Sequence, residues 1–416
     1  MSKKDKILYG LILFFLVVLF LPRFQLLNII ATASLVIYSF SLSSFKKKWQ
    51  AIKEKKHLQV MLFFFVVIGV SMLLSKNTDK AFSFLDPRLP LLYFPLTVGV
   101  LQLDAPFKRK VLVSFAVITT IITAFCLGWN IRQAYIQNNT ALLYNDSLTH
   151  VIGHQSIYIS LLVNISIFIF SREIFFGNSK WKGWMFAAVI FLFGISYLLA
   201  SRTMMGFLYA TTGIFILYYI IKRKKYLEGL TLLMGMIIGI FMVYKFMPQT
   251  FNRFKELTYT KFDYQNMGAE SHYNMEVTAE QWNGANFRLA AWRCGWELFK
   301  ENPIMGVGIG DKYDALIKKY EEKDFQFAIK TKKNVHNNYL DMLYSMGIIG
   351  LVVFLIAWII LPVVYAKQQH DYLTILIIFT FATAWITEIY FDRSLGGMLT
   401  GFFISFLLTY KFKKDH

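Results

Sequence analysis

The sequence predicts an all-helical integral membrane protein, and three observations carry that expectation. Of 416 residues, 56% are hydrophobic, and mean hydropathy is +0.47, far from the balance of a soluble domain. Apolar stretches of membrane-crossing length recur along nearly the whole chain. Basic residues cluster in alternate connecting segments, the pattern that orients membrane helices.

About twelve spans are expected, at roughly 7–22, 24–43, 58–75, 90–105, 110–130, 151–171, 184–200, 203–221, 227–246, 337–362, 371–391 and 394–411. The first runs straight into further spans without a small-residue cleavage site, so it reads as a retained helix and not as a signal peptide. Lys46, Lys47, Lys48, Lys53, Lys55 and Lys56 share one side with Lys108-Arg109-Lys110, with Arg172, Lys180 and Lys182, and with Lys222-Arg223-Lys224-Lys225. Short loops on the other side hold only Arg23, Lys76, Lys80, Arg88, Arg132, Arg202 and Arg393. The positive-inside rule therefore places both termini in the cytoplasm. Read by position, the formal charge of +19 is a topology signal and not a nucleic-acid surface.

Three segments follow: residues 1–246 as an N-terminal bundle of about nine helices, 247–335 as one large loop outside, and 336–416 as about three more helices. The two cysteines, Cys126 in a span and Cys294 in the loop, have neither disulfide-framework nor metal-ligand spacing. Within the loop, residues 281–300 read as a helix stopped by Asn302-Pro303. Arg288, Trp292 and Trp296 recur every fourth residue there, so they share a face. The glycine-rich turn over 301–310 lacks the Lys-Ser/Thr ending of a nucleotide loop. The loop also has no Asp-x-Asp pair of the kind that holds Mg²⁺, and no metal or cofactor is expected. His272, among Glu270, Asn274 and Glu276, reads as solvated. No internal repeat suggests a transporter built from two halves.

Two positions stand out chemically. Arg202, in Ala200-Ser201-Arg202-Thr203, sits at the outer junction of two spans. It either snorkels to the headgroups or faces an interior as an anion site. His336 opens the tenth span in Asn334-Val335-His336-Asn337-Asn338. That cluster is either a helix cap or a base at the membrane edge.

The run from His336 to Leu351, H-N-x-Y-L-x-x-L-x-x-x-G-x-x-G-L, resembles the signature of the O-antigen ligase and polymerase family. So do the Ser201-Arg202 pair between spans and the Phe287-Arg288-Leu289-Ala290-Ala291-Trp292 helix before Asn302-Pro303-x-x-Gly306-x-Gly308. The resemblance implies a GT-C-like bacterial inner-membrane glycosyltransferase with its site on the periplasmic side. The implied reaction is a metal-independent, inverting transfer of a glycan from undecaprenyl diphosphate to lipid A-core or another glycan acceptor. Arg202 and Arg288 would hold the diphosphate, and His336 would be the base. The chemistry suits these residue types, since arginine forks bind phosphate oxygens in pairs and fixed cations compensate leaving-group charge.

His154, in a His-x-Ser-x-Tyr segment resembling one in some members, is a further substrate-contact candidate, as are Asn337, Tyr339, Glu388 and Arg393. Glu388, Asp392 and Arg393 have the alternative of pairing with one another. The same donor motifs serve a polysaccharide polymerase or a protein O-oligosaccharyltransferase. A lipid-linked glycan transporter, from a different class, predicts charges lining a midplane path, whereas here they gather at one face.

Overall fold

A computed structural model describes residues 2–222, 224, 226–246, 254–268 and 281–410; His272 lies outside the described residues. Among them, six helices are long and apolar enough to cross a membrane, or seven if the bent pair Gln25–Ser41 and Phe45–Glu54 is one span. Shorter apolar helices lie at Gly229–Phe241, Tyr372–Ala384 and Ser394–Leu407. The described residues are thus all-helical, with helices long and apolar enough to cross a membrane, as the composition implies. The chain forms two units, Met1–Ile118 with Arg288–His416, and Thr119–Phe287. The expected outer segment 247–335 is shared between them, and its part from Arg288 onward groups with the first and last helices.

In the first unit, local chemistry sets the element ends. Ser2 and Asp5 exchange bonds as a capping box at the start of helix Lys3–Val18. Where a span is expected over 90–105, helix covers only Pro90–Thr97. Asp104 then accepts from Phe107 N at 2.9 Å and opens the next helix, Ala105–Gln137, which overruns the expected 110–130 at both ends. Helix Ser394–Leu407 packs against Pro90–Thr97 by backbone approach, with Gly397 against the Pro87 carbonyl and Gly401 against that of Pro90. Small residues at such crossings replace the hydrophobic drive that lipid does not provide. The rings of Phe15, Phe94 and Phe402 meet there at 4.9–5.5 Å between centroids, a favourable spacing for aromatic pairs.

The span expected over 337–362 is broken. Helix Asn338–Leu355 carries Gly347 at φ 67°, ψ −169°, which takes its neighbours out of the helical ladder. The preceding turn supplies replacement partners: Val307 N donates to Tyr344 O, Gly308 N to Ser345 O, and Ile348 N to Pro303 O, each at 2.9 Å. The same turn is held on its other side by Ser71 and Ser75, whose hydroxyls accept from Ile309 N at 3.1 Å and Gly310 N at 2.9 Å. The Asp311 carboxylate accepts from Lys76 N and Asn77 N at 2.7 and 2.9 Å. A buried helix break needs its freed backbone groups re-satisfied, and this turn supplies three of those bonds. A Cβ on Gly347 would fall on the Ile304 carbonyl, and one on Gly306 on the Ser345–Met346 peptide. Gly347→Ala is expected to lower stability by ~1–3 kcal/mol from the left-handed backbone alone, and further through the clash. Thermal unfolding in detergent reads this, with Gly10→Ala, which meets nothing, as the neutral control. Equal midpoints for the two variants would show that the backbone docking is not needed.

In the second unit, helix Ser156–Phe176 is buried along most of its length and packs against Lys182–Leu199 and Arg202–Ile221. Its one buried amide, Asn164, donates to Met204 O at 2.8 Å. Asn130 likewise donates to the carbonyls of Cys126 and Leu148, both at 2.8 Å. Both cysteines are buried and unbridged.

Candidate active site

His336 is built into its place by the asparagines around it. Asn334 Oδ1 accepts from His336 N at 2.9 Å, holding this non-glycine residue at φ 46°, a conformation that costs energy and clusters at functional sites. Asn337 then caps the following helix, accepting from Leu340 N at 3.0 Å. Asn338 is fully buried and latches the connector between the last two helices, since its N–H donates to Trp385 O at 2.8 Å and its Oδ1 accepts from Phe391 N at 3.3 Å. That latch brings Glu388 to His336, with Oε2 3.0 Å from Nδ1. The Glu388 side chain is buried, while the imidazole is 25% exposed.

Burial pushes the Glu388 carboxyl up. The His336 hydrogen bond and charge outweigh that, helped by Arg393 and Arg288, and hold it below its ordinary range. An ionised Glu388 favours the tautomer with its proton on Nδ1, which carries the ring's lone pair on Nε2.

Arg288 approaches from the loop helix Asn286–Glu301. That helix begins five residues after the expected start at 281, because Asn283 Oδ1 accepts from Ala285 N and Asn286 N at 2.8 and 3.0 Å. Arg288 Nη2 donates to Thr387 O at 3.4 Å, next to Glu388. One turn on, Trp292 Nε1 donates to Val335 O at 2.8 Å, next to His336. The face shared by Arg288 and Trp292 therefore straddles the histidine–carboxylate pair, and Trp296 at its far end is half exposed. Tyr339 donates to Ala382 O at 2.7 Å, so Tyr339 and Asn337 both have holding roles within the protein. Arg393 is exposed and reaches Glu388 by charge alone.

Sequence reasoning missed the acidic partner of the loop. Asp392 does not pair with Glu388 or Arg393. It meets Arg88 Nη2 at 2.6 Å and Lys312 Nζ at 2.7 Å. Lys312 also bonds both oxygens of Asp341, at 2.8 and 2.7 Å, and Tyr344 donates to that carboxylate at 3.0 Å. Arg88 and Asp341 are wholly buried. Two cations thus face two carboxylates, which is how buried charge is tolerated. Asp341 was the available signal, because an acid inside an apolar run demands a partner.

In the second unit, Ala200 at φ 50° ends helix Lys182–Leu199, and Arg202 begins the next helix. Its guanidinium is turned inward, with Nη1 2.9 Å from the buried Glu256 Oε2. Glu256 is a second acidic partner the sequence did not reveal. His154 is buried at the start of helix Ser156–Phe176, its carbonyl accepting from Thr149 Oγ1 at 2.6 Å. The structure gathers Arg288, His336 and Glu388 in one unit, while Arg202 and His154 belong to the other.

Helical spans, a histidine–carboxylate pair and an adjoining arginine together define an integral membrane protein with an ionisable site on a docked loop. A family model described as O-antigen ligase matches residues 186–355. Over that segment the chain is similar to the O-antigen ligase family, in line with the resemblance drawn from its motifs. At a coarse level that similarity supports a membrane enzyme of ligase or polymerase type. The matched segment contains Arg202, Arg288 and His336; His154, Glu388 and Arg393 fall outside it. No curated protein matches the chain.

Proposed function

We propose that this protein is an O-antigen ligase of a bacterial inner membrane, transferring a glycan from undecaprenyl diphosphate to lipid A-core on the periplasmic face. The observation that carries this reading is the 3.0 Å contact between His336 Nδ1 and Glu388 Oε2, with Arg288 on the neighbouring Thr387 carbonyl. His336 Nε2 takes the proton of the acceptor hydroxyl as its oxygen attacks the anomeric carbon of the donor sugar. The bond from that carbon to the diphosphate breaks on the opposite face, which inverts the configuration. The leaving group is undecaprenyl diphosphate, and Arg288 and Arg202 compensate its charge. Glu388 orients the ring and stabilises the imidazolium that forms. No metal takes part in this scheme.

The test is transfer by purified protein from a carrier-linked donor to rough lipopolysaccharide, with chelator and no energy source. Product supports the ligase. Product only when a second carrier-linked glycan is the acceptor would instead mark a polymerase, and no product in either case would favour transport.

Arg288→Ala is expected to lower turnover by ~10²-fold or more, as loss of one charge-stabilising donor does. Arg202→Lys should also lose much of its activity although the charge remains, because an ammonium cannot reproduce a two-pronged phosphate contact. Near wild-type rates for both variants at normal expression would remove the arginine clamp.

A further inference from the structure

The chain turns through 93° between helix Gln25–Ser41 and helix Phe45–Glu54. Gln25–Ser41 shows Leu26, Ile29 and Ile37 to its surroundings, each more than half exposed, as a lipid-facing helix does. If Gln25–Ser41 crosses the bilayer, a helix set at right angles to it would run along the bilayer surface.

The short helix presents a buried face and an exposed face at helical spacing. Lys48 and Ala51, three apart, are buried against the protein, and Lys48 Nζ lies 3.3 Å from the centre of the Phe40 ring across the bend. Its far end is tied down, because Gln59 Nε2 donates to the carbonyls of Ile52 and Lys53 at 3.0 and 2.8 Å. Lys55, fully buried, donates to Gly99 O at 3.1 Å. A second face carries Phe45 and Trp49, one turn apart and 75% and 52% exposed. Lys46, Lys47 and Lys53 are exposed beside them. A water-facing helix would not present two large aromatics, and a core helix would not carry these lysines. Both together, on a helix lying across a lipid-facing span, fit one environment, the boundary between headgroups and acyl chains.

We propose that helix Phe45–Glu54 is a binding surface for anionic phospholipid. Phe45 and Trp49 enter the acyl boundary, and Lys46, Lys47 and Lys53 meet lipid phosphates. Charge complementarity selects this occupant: the helix has four lysines against one glutamate, and anionic lipid attracts each such cation near the surface. Lys48 and Lys55 anchor the helix to the bundle, Lys53 lies 5.5 Å from the Trp49 ring on the exposed face, and Lys46 and Lys47 point to the same surroundings as exposed cations. The inference does not depend on which glycan, if any, the protein transfers.

The test uses the full chain in nanodiscs of mixed phosphatidylcholine and phosphatidylglycerol, reading by mass spectrometry which lipid stays bound after mild delipidation. Wild type should retain phosphatidylglycerol preferentially, and less of it at high salt. The triple variant Lys46→Gln, Lys47→Gln, Lys53→Gln should lose that preference by about 10²-fold, the effect expected of three surface lysines. Equal retention by the two proteins would overturn the proposal. A second measurement covers the case in which the triple variant is poorly folded. Phe45→Cys carrying a spin label should be accessible to oxygen in the acyl region and shielded from a water-soluble nickel chelate, and the buried Cys126 and Cys294 should stay unlabelled. A water-exposed label would sink the idea, and would leave the helix as a surface for a soluble acidic partner.

Discussion

His336→Ala is expected to lower transfer by about 10²–10⁴-fold, the range a positioned general base contributes, while donor binding and membrane insertion should persist. The imidazole bonds to Glu388, but helix Asn338–Leu355 is started by Asn337 and latched by Asn338, so removing the ring leaves that scaffold in place. The donor is held, on the reading above, by arginines and not by the histidine. Single-turnover assays with binding measured separately distinguish the outcomes. Full turnover in His336→Ala removes it as the base. Lost donor binding in a normally folded variant would reassign it to the diphosphate. Glu388→Gln should give a smaller loss, because an amide at 3.0 Å still orients the ring but no longer stabilises the imidazolium.

The second large effect is on stability. Lys312→Met leaves the buried Asp341 and Asp392 facing Arg88 alone, and removing one partner of a buried charge set costs about 3–5 kcal/mol. Lys312→Met combined with Asp392→Asn restores charge balance and should recover part of that loss. Thermal unfolding of the two single variants and the double variant forms a cycle whose coupling reports the interaction. Additive effects in that cycle would mean that Lys312 and Asp392 act independently, and the network would then have no joint role. The position of Lys312 makes this matter for the site. Asp341 lies one turn into the helix that follows His336, and Asp392 lies four residues after Glu388, so Lys312 ties the loop to both segments that carry the pair.

Patterning revealed the helical membrane class, the basic and apolar alternation, and the motifs around Arg202, Arg288 and His336, because hydropathy and charge are local properties that a bilayer reads directly. It also placed the Arg288 and Trp292 face correctly, since helical spacing alone puts residues four apart together. It overestimated continuity. The run over 337–362 is uniformly apolar, yet it breaks at Gly347 because the turn over 303–308 competes for its backbone groups. Nothing within the run records that competitor. Pairings of charge were equally out of reach. Glu256 with Arg202, Glu388 with His336, and Asp392 with Arg88 and Lys312 join residues between 52 and 304 positions apart. Sequence determined which groups carry charge and at what depth they enter the helices. Tertiary structure decided which of them meet, since a buried charge is stabilised by whichever partner the packing of distant helices brings within about 3 Å, and the geometry of that packing is not written at either position.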